Sequence, residues 1–144
     1  TKTTPDGDPD HQINQIAMAL EGGATFVARG FAGDHAHLTA LFKAAIKHRG
    51  YAFVDVFQPC VTYNHIQTYD WYRDRVYRLE DEQHDATDKA LAVKKAHEWG
   101  DRVPIGLFYH EQKATYLDHL AHVQEPLVGA KPKANLKKLI DSFR

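Results

Sequence analysis

The spacing of apolar residues predicts two amphipathic helices in the first fifty residues. In the first helix, Asp10 is the expected N-cap and the pair Gly22-Gly23 marks the stop. In the second, Asp34 is the expected N-cap and Gly50 the expected left-handed C-terminal cap. The apolar stripes are Ile13, Ile16, Ala17 and Leu20 in the first helix, and Leu38, Leu41, Phe42, Ala45 and Ile46 in the second.

Two continuous apolar runs alternate with these helices and predict buried strands. The runs span residues 24–28 and 51–57. Runs without polar alternation suit strands that are covered on both faces, as in a parallel sheet. Because a helix separates the two runs, they cannot be joined by the short turn of a β-hairpin. We therefore expect neighbouring parallel strands. Functional residues in such sheets gather beyond the carboxyl ends of the strands, which directs attention to residues 58–64.

The second half of the chain is predicted to hold two half-exposed helices, a third strand and a short final helix. The helices are expected at residues 68–79 and 87–99. The strand is expected at residues 103–109, with Pro104 at its first position or on a sheet edge. Residues 125–135 are interpreted as a loop or linker. The final helix has an apolar face suited to docking on a partner, made of Leu136, Leu139, Ile140 and Phe143.

Composition narrows the class of protein. A chain of 144 residues with 43% hydrophobic residues can bury one ordinary core. Its 18 basic and 19 acidic residues give a net charge of -1, which offers no long-range attraction to nucleic acid or to an anionic membrane. No apolar run approaches the roughly 18 to 20 residues of a membrane span. We therefore expect a cytoplasmic α/β domain that binds neither nucleic acid nor membrane.

The single cysteine, Cys60, is the main candidate for site chemistry. It follows the second predicted strand, where the sheet could hold a soft metal or cluster ligand rigidly. Its position alone favours a small buried hydrophobic residue, because free cysteine is among the most buried residue types. One thiolate completes neither a zinc site nor an iron-sulfur cluster, since each needs about four ligands. Any cluster would take its other ligands from outside this chain.

Ten histidines raise a metal hypothesis, centred on His35 and His37 with His48 and His65 as companions. Residues two apart on a helix point to different faces, whereas paired ligands on one helix are three or four apart. We therefore interpret these histidines as solvated or locally hydrogen-bonded.

Two other patterns are explained by structure more readily than by ligand binding. The glycines at 22–23 and 30–33 lack the spacing of a dinucleotide or P-loop fingerprint, which favours turns and caps. Residues 69–78 mix aromatic and basic side chains, but acidic residues in the same segment neutralise them. We expect an interface helix or a packed surface helix there.

Several segments, compared as whole stretches of sequence, resemble the β subunits of 2-oxoacid:ferredoxin oxidoreductases. The densest similarity is in residues 23–29, 50–56 and 58–64. Weaker similarity lies in residues 1–5, 69–72 and 104–109, so that the resemblance covers roughly residues 1–120. The valine, threonine and asparagine that follow Pro59-Cys60 resemble the 2-oxoglutarate type more than the pyruvate type.

The resemblance implies a fold and a division of the chain. The fold would be part of a thiamine-diphosphate-binding α/β domain, with a parallel sheet, flanking helices and a C-terminal extension. Residues 1–64 would form the last part of that domain, residues 65–124 the extension, and residues 125–144 a linker and terminal helix. The sequence starts at Thr1 without Met and in a loop-like segment, so we interpret the chain as a fragment.

The resemblance also implies an activity for the complete enzyme. It would oxidatively decarboxylate a 2-oxoacid, with 2-oxoglutarate favoured, to an acyl-coenzyme A and pass the electrons to ferredoxin. Its cofactors would be thiamine diphosphate, Mg²⁺ and a [4Fe-4S] cluster. Its partners would be an α subunit, ferredoxin, coenzyme A and the 2-oxoacid, in an oligomer.

Residue by residue, only Cys60 carries over, as a ligand of the [4Fe-4S] cluster. The family's other cluster cysteines and its Gly-Asp-Gly cofactor motif have no counterpart in this sequence. This chain is therefore expected to bind none of the cofactors alone and to be inactive, and no catalytic residue is assigned. The alternative is a non-catalytic α/β protein-interaction module.

Overall fold

The computed structural model describes residues 4–7, 9–120 and 135–143. The chain forms two compact units, Thr1–Lys113 and Ala114–Arg144. The division at residues 64 and 124 expected from the resemblance stays a prediction. The elements of the first unit are α1 (Gln15–Glu21), β1 (Phe26–Phe31), α2 (His35–Lys47), β2 (Ala52–Phe57), α3 (Tyr69–Arg73), β3 (Val76–Arg78), a 3-10 helix (Leu79–Glu82), α4 (Lys89–Ala96) and β4 (Val103–His110).

The two early strands form the parallel pair expected from the sequence. Phe26 of β1 lies opposite Ala52 of β2, and the register continues to Phe31 opposite Phe57. All six residues of β1 are buried, as a strand with neighbours on both sides requires. The loop that holds Cys60 begins directly after β2. Parallel pairing with Cys60 beyond a strand carboxyl end is thereby confirmed.

The sheet has four strands in the order β2-β1-β4-β3, and β4 makes it mixed. β4 runs antiparallel to β1 and parallel to β3. The α/β class is confirmed, although the sheet is not parallel throughout. Pro104 is the second residue of an interior strand, so its expected place at the first residue or on an edge is wrong. It is tolerated because the register of β4 with β1 extends only from Gly106 to His110, leaving Pro104 paired on one side.

Helix α1 is shorter than its apolar pattern predicted. Its N-cap is Asn14, whose Oδ1 accepts a 3.0 Å hydrogen bond from the backbone N–H of Ala17, so the assignment of Asp10 was wrong. Ile13 therefore lies outside the helix and is 64% exposed. The stop at the glycine pair is confirmed, with Gly22 as the C-cap.

Helix α2 begins at the predicted cap and ends earlier than expected. Asp34 Oδ1 accepts from the His37 backbone N–H at 3.2 Å, which confirms the N-cap. The C-cap is His48, so the assignment of Gly50 was wrong. Gly50 has a φ of 143°, and a Cβ there would lie 2.6 Å from Thr25 Oγ1. Glycine is required at this position by the close approach of Thr25, the residue before β1, and not by a helix end.

The helix predicted over residues 68–79 is wrong beyond its first turn. The chain leaves α3 after Arg73 and pairs Val76–Arg78 with β4 as strand β3. The following 3-10 helix buries Leu79 completely. Sheet pairing and this burial outweigh the local helical spacing. The helix predicted over residues 87–99 is present as the shorter α4, capped by Asp88.

Hydrophobic clusters lie on the two faces of the sheet. The larger cluster joins the sheet to α1 and α4, and the smaller joins it to α2. Full burial of a side chain such as Leu or Phe contributes about 1.5 to 3 kcal/mol. The large members of the first cluster are Ile16, Leu20, Val27, Leu79, Phe108 and Tyr109, and the buried members of the second are Phe26, Ala28 and Leu41.

The second unit contains a 3-10 helix (Leu117–His119) and α5 (Leu136–Asp141). The predicted final helix is confirmed, with Asn135 as its N-cap. Its apolar side chains are exposed, namely Leu136, Leu139, Ile140 and Phe143. The predicted loop lies, apart from residue 135, outside the described residues. Every described helix is too short or too polar to cross a bilayer.

Replacing Gly106 with alanine should destabilise the sheet by about 2 to 3 kcal/mol. Gly106 has a φ of 113°, and a Cβ there would collide with the Glu80 carboxylate. Glu80 Oε1 accepts a 3.0 Å hydrogen bond from the Leu107 backbone N–H, so its displacement would leave that donor unpaired. Urea unfolding of the full chain measures the cost.

Gly100→Ala is the matched control. Gly100 has a φ of 99° with nothing within 4 Å of a Cβ, so this variant carries the backbone strain without the collision. It should cost about 1 kcal/mol. Equal losses in the two variants would show that the contact with Glu80 contributes nothing.

Candidate functional site at the carboxyl ends of β1 and β2

A buried ion pair joins the two parallel strands. Arg29 of β1 and Asp55 of β2 lie opposite each other, and Arg29 Nε donates to Asp55 Oδ2 at 2.8 Å. Arg29 is only 4% exposed. Its guanidinium carbon lies 4.8 Å from the ring centroid of Phe57 and 5.5 Å from that of Phe108. The carboxylate and the two ring faces together compensate for the desolvation of the cation.

Arg29 also borders a cavity. The cavity has a volume of about 530 Å³ and is lined by Arg29, Asp55, Phe57 and Trp99 together with residues of the segment before α1 and the end of α4. Arg29 Nη1 is buried and has no hydrogen-bond partner in the described part of the chain. The guanidinium that borders the cavity is thus paired through Nε and leaves Nη1 without an acceptor among the described residues.

Aromatic side chains cover the strand ends beside this ion pair. The Tyr72 ring centroid lies 5.1 Å from that of Phe57 and 5.7 Å from that of Phe31. Trp99 packs edge-on against Phe57 at 5.7 Å. Burial raises the pKa of the Tyr72 phenol, and the Asp55 carboxylate raises it further. Tyr72 therefore stays a neutral hydroxyl at physiological pH, and α3 serves as a packed helix.

The Cys60 loop follows β2 directly, so Cys60 lies three residues after Phe57 in the sequence. Cys60 is exposed, so its interpretation as a small buried hydrophobic residue is wrong. The preceding Pro59 is buried and anchors the loop. The carbonyl of Cys60 accepts from the Asn64 N–H at 2.9 Å, and Asn64 Oδ1 accepts from the N–H groups of Ile66 and Gln67 at 3.0 Å each. The thiol is thus presented to solvent by a locally ordered turn.

The histidines that the structure describes are not grouped as a metal site requires. His35 and His65 are exposed, and His48 is hydrogen-bonded to Thr25, 23 residues away in sequence. His37 is largely buried, with Nε2 3.5 Å from Glu80 Oε2. Among residues 4–7, 9–120 and 135–143, no three histidine, cysteine or acidic side chains are grouped to hold a metal ion.

Sequence reasoning located the Cys60 loop and missed the Arg29–Asp55 pair. Two features could have revealed the pair. Arg29 extends an otherwise apolar strand, and Asp55 interrupts the next one. An unexplained charge in each of two strands expected to be buried and adjacent indicates an ion pair between them.

Comparison with known proteins places the chain in a family. Residues 60–125 match the family model for the C-terminal part of the β subunit of pyruvate ferredoxin oxidoreductase. The β subunit of 2-oxoacid:ferredoxin oxidoreductase 1 from Aeropyrum pernix is 45% identical over 131 residues, or 83% of this chain. The corresponding subunit from Saccharolobus solfataricus is 45% identical over 132 residues, or 84% of this chain.

A solved structure shares the fold. It is the 2-oxoglutarate:ferredoxin oxidoreductase from Magnetococcus marinus with 2-oxoglutarate, coenzyme A and succinyl-CoA bound, with a TM-score of 0.82, 36% identity and a match over 99% of this chain. The chain spans 41% and 43% of the two curated relatives and 48% of the solved chain. By sequence and by fold it belongs to the β subunits of the 2-oxoacid:ferredoxin oxidoreductases and corresponds to less than half of their length.

Proposed function

We propose that the complete β subunit, assembled with an α subunit, oxidatively decarboxylates a 2-oxoacid to an acyl-coenzyme A and reduces ferredoxin. The names of the relatives in Aeropyrum and Saccharolobus support this activity. The solved neighbour, which holds 2-oxoglutarate and succinyl-CoA, supports 2-oxoglutarate as the substrate. An oligomer of α and β subunits is part of the proposal.

Cys60 is proposed as one thiolate ligand of a [4Fe-4S] cluster in the complete subunit. The observation that carries this role is an exposed thiol in an ordered turn directly beyond a parallel strand pair. One thiolate fits one corner of a cluster, and the remaining ligands would come from outside this chain. The cluster, when bound, would supply transfer of single electrons. A cytoplasmic location belongs to the same proposal, because thiolate ligands are kept reduced there.

Thiamine diphosphate and Mg²⁺ are proposed to bind residues outside this chain. Its sequence contains no Gly-Asp-Gly motif, and no residue here is assigned to the cofactor. The contribution proposed for this part of the subunit is to complete the sheet and to present the Cys60 thiol. The chain alone should accordingly show no turnover.

The experiment is a comparison of substrates on the complete oxidoreductase. With coenzyme A present, anaerobic reduction of ferredoxin by 2-oxoglutarate should exceed that by pyruvate by about tenfold or more in kcat/KM. A preference for pyruvate would overturn the 2-oxoglutarate assignment. If none of the 2-oxoacids tested reduces ferredoxin, the assignment as an enzyme is overturned and the protein-interaction module is favoured.

A further inference from the structure

A second cavity lies at the opposite end of the sheet from Cys60, beside Phe26 at the start of β1. Its volume is about 440 Å³, within the range of small-molecule sites. It is formed where the end of α2 meets the end of β4. Its basic lining residues are Lys47, His48, Arg49 and His110, and its apolar lining includes Phe26 and Leu107.

The charge of this lining has one sign. None of the described lining residues is acidic. The nearest carboxylate in sequence is that of Glu111, whose Oε2 accepts from the Tyr109 hydroxyl at 3.2 Å and from Lys113 Nζ at 3.4 Å. Lys47, His48 and His110 are basic groups that converge here with no acidic side chain among the described lining residues, and this favours an anionic ligand over a metal ion.

Two imidazoles are held in fixed positions in this lining. The ring centroids of His48 and His110 lie 5.2 Å apart, edge to face, and both rings also contact Phe26. His48 Nε2 lies 2.7 Å from Thr25 Oγ1, whose hydroxyl donates to the Tyr51 carbonyl at 3.4 Å. Which of Nε2 and the Thr25 hydroxyl donates depends on the imidazole tautomer, and either way the contact fixes the position of the His48 ring.

Protonation of the His48 imidazole is opposed by its surroundings. Burial lowers the pKa of His48, and the neighbouring His110 lowers it further. The other charged groups that line the cavity, Lys47 and Arg49, are cations as well. A bound anion would reverse this balance, because it stabilises the charged form of His48.

We propose that this cavity binds a phosphate group, either free or carried by a small molecule, through His48, His110 and Lys47. A phosphate dianion matches several cations better than a ligand with one carboxylate does. Imidazolium and ammonium groups also donate charge-assisted hydrogen bonds to phosphoryl oxygens. The site lies apart from the Cys60 loop and does not depend on the function proposed for it.

The test follows the imidazole proton resonances of the full chain by NMR during titration with sulfate, inorganic phosphate and pyrophosphate. Sulfate is the pH-independent probe, because its charge is the same at pH 6 and pH 8. The resonances of His48 and His110 should shift saturably with all three anions, and sulfate should bind about fivefold more tightly at pH 6. Chloride at matched ionic strength should cause no such shift. Phenyl phosphate, a monoester whose charge is close to that of inorganic phosphate, is the further probe: tighter binding of it than of phosphate would indicate a phosphoryl group carried by a small molecule, and weaker binding would indicate free phosphate.

Three variants make the test specific. His110→Gln should weaken sulfate binding by about tenfold, the loss expected for one charge-assisted hydrogen bond. Lys47→Gln removes an exposed cation that no fold contact requires, and it should weaken binding by about threefold. Lys94→Gln removes an equally exposed lysine from α4, outside the cavity, and should leave the affinity unchanged. Absence of saturable shifts, or equal effects of Lys47→Gln and Lys94→Gln, would overturn the proposal.

Discussion

Replacing Cys60 with serine should lower ferredoxin reduction by the complete oxidoreductase by about a hundredfold or more. Loss of a partner in the outer shell of a metal site already costs 10- to 100-fold, and a direct ligand should cost at least the upper end of that range. Iron content and visible cluster absorbance, measured anaerobically, should fall together. Binding of thiamine diphosphate should survive, since its motif is not expected in this part of the subunit.

Stability separates a ligand from a structural residue at this position. Because Cys60 is exposed, serine there should change the free energy of unfolding by no more than about 0.5 kcal/mol. Val61→Ser is the matched control in the same turn, where the side chain is 63% exposed, and it should retain iron and activity. Full retention of iron and of ferredoxin reduction in Cys60→Ser would remove Cys60 from the cluster.

Replacing Asp55 with alanine should destabilise the chain by about 3 to 5 kcal/mol, the cost of leaving a buried cation without its partner. Arg29 is 4% exposed, and its Nη1 already lacks an acceptor among the described residues. Removing the carboxylate would leave Nε unpaired as well, because Asp55 Oδ2 is its partner at 2.8 Å. Urea unfolding of the full chain measures the loss.

An exposed pair of the same residue types provides the control. Arg73 Nη1 lies 2.6 Å from Asp70 Oδ1 on the surface of α3. Asp70→Ala should cost less than about 1 kcal/mol, because solvent screens this pair. The double change of Arg29→Met with Asp55→Leu should recover most of the stability lost in Asp55→Ala. Equal losses in Asp55→Ala and Asp70→Ala would contradict a buried, energetically coupled pair.

Local sequence patterns were sufficient where local interactions determine the structure. The apolar runs identified β1 and β2, and Asp34 identified the start of α2, because burial and capping are properties of nearby residues. The three-residue strand β3 was missed because its structure comes from pairing with β4, across more than twenty residues of sequence. Local spacing around Val76 suited a helix equally well, and only the distant partner decides between the two.

The Cys60 loop and the basic cavity show the same limit at the level of sites. The Cys60 loop could be located because parallel topology alone places it at the end of a strand. The basic cavity could not, because His48 and His110 meet only through the antiparallel pairing of β4 with β1. A helix predicted through residues 76–78 gave no reason to place β4 beside β1.

The position of β4 between β1 and β3 also sets the order in which the chain can fold. Phe26 finds its antiparallel partner only in His110, so the central strand stays open on one side until the ribosome has released the whole segment through β4. Closing so long a loop carries an entropic cost that must be met before the contacts between β1 and β4 can form. A nascent chain that stops before Val103 would present the buried residues of β1 to solvent, where chaperones, proteases or another unfinished chain could reach them.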